Sequence, residues 1–101
     1  MLYLGGLRGA GILTYGGETA GPADYDFDGF LTKNGEVAGS GEIRMSPKAL
    51  RGAFGRKDLR LRTEDGRVLS LQFSDKQLRS SSNAAHVDVA GELPPASNWP
   101  R

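Results

Sequence analysis

Apolar residues recur at every second position along most of this chain, and that period-two pattern marks β-strands with one buried face. It predicts strands near 2–7, 10–16, 24–32, 36–45, 57–63, 67–73 and 85–92. Two turn signals sharpen the reading. Tyr25, Phe27 and Leu31 precede Lys33-Asn34-Gly35, and Val37, Ile43 and Met45 follow it. All are odd-numbered. A two-residue Asn-Gly turn would pair odd with even positions and set one strand's apolar face against the other's polar face. A three-residue loop with a left-handed Gly35 restores agreement, pairing Thr32 with Glu36 and Phe27 with Gly41. The same parity applies at Thr63-Glu64-Asp65-Gly66-Arg67, where Gly66 takes the left-handed place.

Each hairpin precedes a serine suited to a helix N-cap. Ser46-Pro47 opens a short helix carrying Leu50 and Phe54 on one face and stopped by Gly55. Ser74, with Gln77 three residues on, predicts a second capped turn. The chain therefore reads as a degenerate hairpin-helix repeat. The fold expected is all-β: a small antiparallel β-barrel or curved half-barrel of about seven strands with one or two short helical turns. A β-sandwich is the alternative. Residues 1–93 form the single β domain, and the Pro-rich tail 94–101 leaves the sheet. With 101 residues, the chain has material for one core. Its 15 glycines suit turns, bulges and strongly curved strands.

The absence of cysteine excludes disulfides, thiolate chemistry and cysteine-ligated metals. No apolar run approaches the ~20 residues that span a bilayer, so no membrane role and a cytoplasmic address are expected. Charge is unevenly distributed. Residues 10–43 carry six acids against Lys33 alone, a net −5, whereas residues 44–67 carry eight bases against three acids, a net +5. Either these segments become neighbouring strands whose charges pair across the sheet, or they form a bipolar surface.

No cofactor or metal is expected. Asp24-Tyr25-Asp26-Phe27-Asp28-Gly29 has the opening of an EF-hand loop, but its twelfth position is Gly35 rather than glutamate, and Tyr25 and Phe27 fit the buried face of a strand. Arg44 is expected opposite Asp24, with Arg60 and Arg62 flanking the aspartates from an adjacent strand. His86 and Asp88 share one strand face and make half of a catalytic relay without a nucleophile. The early glycines match neither Gly-x-Gly-x-x-Gly nor a Walker loop.

These exclusions point to a non-enzymatic binding or assembly module that recognises a protein partner or itself. The alternative is single-stranded nucleic acid on an OB-like barrel. The candidate partner-binding residues are Phe30, which falls on the solvent face of its strand, the bases Arg44, Arg60 and Arg62, and the single tryptophan, Trp99.

Overall fold

The computed structural model describes residues 1–100 and contains six strands: β1 (Leu2–Tyr15), β2 (Glu18–Leu31), β3 (Val37–Arg44), β4 (Leu59–Thr63), β5 (Val68–Phe73) and β6 (Ala84–Gly91). They close into an antiparallel barrel in the order β1-β2-β3-β6-β5-β4. Closure excludes the sandwich. It also leaves six strands instead of about seven, because segments 2–7 and 10–16 are one continuous strand paired with β2 along its whole length.

Interior positions are odd-numbered on the strands except at the start of β1, where a register shift between Tyr3 and Gly5 leaves Leu4 buried and Tyr3 exposed. Leu13, Phe27, Ile43, Leu59, Leu61, Leu69 and Val87 are fully enclosed, and the even positions between them face outward. Three of the connections preserve this parity by different means. Thr32 N donates to Glu36 O, and Thr63 N to Arg67 O, so both predicted three-residue loops form; Gly35 and Gly66 have φ of 81° and 87°. Between β1 and β2 the two-residue Gly16-Gly17 turn pairs Tyr15 with Glu18, which reverses parity. A register shift between Leu13 and Thr14 reverses it again, so that Leu13 faces Gly21.

One helix, α1 (Pro47–Ala53), covers one end of the barrel. Ser46 Oγ accepts from Ala49 N at 3.3 Å, and Leu50 and Ala53 are completely buried. Phe54 turns out of the helix as its C-cap and packs against Phe73, with ring centroids 5.0 Å apart.

The second helical turn expected at 74–79 is absent. Ser74 N instead donates to His86 O, and Asp75 takes His86 N on its carboxylate, each at 3.0 Å. The pairing with His86 thus takes the Ser74 N–H that a capping box would use, and the predicted internal repeat stops at its hairpins.

After β6 the chain crosses the other end of the barrel. It passes through a 3₁₀ turn at Ala96–Asn98 and places Trp99 against Gly29, where a Cβ would lie 2.6 Å from the indole ring. Trp99 Nε1 donates to Pro94 O at 2.9 Å, and Pro100 O accepts from Gly6 N at 3.0 Å. The tail therefore packs as a plug over Gly5, Gly6 and Gly29 and buries Trp99.

Candidate binding surface

Because the interior takes the odd positions, the outward chemistry of each strand is set by its even residues, with Tyr3 outward before the register shift in β1. On β2 these are Asp24, Asp26, Asp28 and Phe30. Register with β1 and β3 places neighbours on both sides: Tyr3 and Ala38 beside Phe30, Gly6 and Ser40 beside Asp28, Arg8 and Glu42 beside Asp26, and Ala10 and Arg44 beside Asp24. β6 extends the face with Asp88 next to Ser40 and His86 next to Glu42.

The predicted Asp24–Arg44 register is correct, but Arg44 forms its ion pair with Glu42 at 2.9 Å. That hydrogen bond and the nearby carboxylates raise the guanidinium above its already high range. Asp26 pairs with Arg8 at 3.0 Å. Both bridges are substantially exposed, so each contributes little to stability. Asp24, Asp28 and Asp88 have no ion-pair partner among the described residues. His86 Nδ1 lies 3.9 Å from Asp75, so its closest carboxylate contact is not with Asp88. No group of three or more His, Asp or Glu among the described residues is arranged to hold a metal ion.

At one end of this face Phe30 meets Tyr3 edge-to-face, with centroids 5.8 Å apart and planes at 63°. Tyr3 is 53% exposed and its hydroxyl donates to Asp28 at 3.4 Å; Leu2, next to it, is 58% exposed. The result is an aromatic corner continuous with an acidic ladder.

Arg60 and Arg62 do not flank that ladder. β4 pairs with β1 and β5, so β1 separates them from β2. Arg62 is opposite Ile12, while Asp24 is opposite Ala10. Two strand spacings, with two residues of offset to Asp24 and six to Asp28, put the Arg62 backbone about 12 Å from that of Asp24 and about 22 Å from that of Asp28. Such separations exceed the ~10 Å screening length at 0.1 M salt. Arg60 donates only to the neighbouring Leu59 O, and it shares a shallow depression with Lys57, Ser70 and Gln72 whose far edge is Asp88. Val68, 40% exposed, stands across from Arg62. The β2 aspartates and the β4 arginines thus lie on opposite sides of β1.

The residues singled out from sequence do not converge on one site. Phe30 and Arg44 lie on the acidic face, Arg60 and Arg62 on the basic strip, and Trp99 is only 6% exposed beneath the folded tail. Arg8 was missed because Arg8-Gly9 reads as a joint; its even position within a continuous β1 is the signal that places it outside. Among the described residues no helix is long and apolar enough to cross a membrane. The class that fold and surface define is a closed six-stranded antiparallel barrel with an acidic-aromatic face and a separate basic strip. The chain matches no protein-family model, no curated protein and no solved structure.

Proposed function

We propose that this protein is a non-enzymatic, cytoplasmic binding module that recognises a protein partner through the outer face of β1, β2 and β3. The observation carrying this reading is the aromatic corner: Tyr3 is more than half exposed beside Phe30, although the barrel encloses most of its large apolar side chains. Exposed aromatic groups bordered by charge are the usual anchors of protein recognition. The adjoining Asp24, Asp26 and Asp28 favour a partner that is basic as well as apolar. His86 stands largely in solvent without a nucleophile in contact, which supports binding over catalysis.

A displayed random-peptide library tests the reading. Selected peptides are expected to combine lysine or arginine with an apolar residue and to shift the amide resonances of Tyr3, Asp28 and Phe30. Replacing both rings (Tyr3→Ser with Phe30→Ser) should weaken binding about tenfold or more. A second reading, single-stranded nucleic acid on the β4–β5 strip, is favoured by the unpaired Arg60 and Arg62. Labelled DNA or RNA binding with a steep negative salt slope, together with no selected peptide, would replace the first reading with the second.

A further inference from the structure

We infer that the partner of the acidic-aromatic face is a second copy of this chain, which presents its basic β4–β5 strip to that face. This rests on the protein-recognition reading above and names its occupant. Each surface supplies what the other lacks. Among the described residues, Asp24 and Asp28 have no ion-pair partner on one, and Arg60 and Arg62 have none on the other. Both surfaces also expose an apolar group beside the charges: Tyr3 with Phe30 on the first and Val68 on the second.

The spacing agrees as well. Outward side chains on any strand repeat about every 7 Å, so Arg60 and Arg62 match two consecutive rungs of the ladder, the unpaired Asp24 or Asp28 together with Asp26, which would be shared with Arg8. Within one molecule the Asp24–Asp28 ladder of β2 is held apart from Arg60 and Arg62 of β4 by β1, and the closed hydrogen-bond ladder fixes that separation. Complementary patches at different places on one body make a head-to-tail contact. Such a contact leaves one face free on each terminal copy, and association continues until a ring closes or the chain of copies runs on.

Sedimentation velocity over a protein concentration series, at about 20 mM and about 500 mM NaCl, tests this directly. At low salt the mean mass of the wild type should rise with concentration above the 10.8 kDa of one chain, and high salt should return it to that value. R60E/R62E and D26K/D28K should each remain monomeric alone while keeping the wild-type circular dichroism. An equimolar mixture of the two should associate again, because each restores the charge its partner lost. The neutral R60Q/R62Q should associate more weakly than wild type, which gives a gentler variant if a charge reversal disturbs folding. A wild type that stays at one chain mass throughout, variants that associate as wild type does, or a mixture that remains monomeric would each overturn the inference. If the monomer still bound basic, apolar peptides through Tyr3 and Phe30, protein recognition would stand and only the identity of the occupant would fall; loss of both would remove both.

Discussion

At Gly29 the place of a side chain is occupied by the indole of Trp99, and this contact governs how the tail holds the barrel end. Gly29→Ala should push the ring outward, red-shifting the fluorescence of the only tryptophan and costing about 1–3 kcal/mol in urea unfolding. Unchanged emission would show that the tail does not seat there. A second residue-scale device lies at Thr63, whose buried hydroxyl donates to the Asp65 carboxylate and accepts from Arg67 N at 3.0 Å. That hydrogen bond, aided by Arg67, holds the Asp65 carboxyl below its usual range. A depressed folded value stabilises the native state above the unfolded carboxylate pKa, and the contribution disappears as pH falls through the folded value. Carboxyl NMR titration should therefore give Asp65 a low midpoint that moves upward in Thr63→Val. The stability difference between the two proteins should narrow in acid.

Among the elements, the hairpins were the most legible in sequence because two independent constraints agreed: apolar parity on both strands and glycine at the position that needs positive φ. Gly66 separates those constraints experimentally. No atom lies within 4 Å of where its Cβ would be, so Gly66→Ala introduces backbone strain without a clash. It should cost about 1–2 kcal/mol in chemical denaturation, and Gly66→Asn should cost less. Equal stability of all three would show that the loop does not hold its left-handed residue. Legibility failed where tertiary partners overrode local chemistry. Arg8-Gly9 reads as a break, yet β2 runs alongside it and keeps β1 extended. Ser74 and Gln77 read as a capping box, but pairing with His86 holds Ser74 in the sheet. Parity also hid a compensation, since no local signal told that the reversal at Gly16-Gly17 would be undone at Leu13.

For the molecule as a whole, sequence exposed the charge asymmetry but left open whether the opposite segments would meet. That depended on strand order, and the β1–β4 pairing that sets it joins segments distant in sequence. The candidate site suffered accordingly: Phe30 was visible as an outward ring, whereas Tyr3 became its companion only through the β1–β2 register. Strand order also sets how the barrel must form. Closing it joins Tyr15 to Leu59 and Gly39 to Val89, pairs more than forty residues apart, and neither joint rewards the chain until its long intervening segment has been brought round. The ordered ring is thus a high-contact-order product, assembled on a timescale of roughly milliseconds to seconds where a helical bundle of this length would take microseconds to milliseconds, and Trp99 emission in a stopped-flow trace should register that slow arrival.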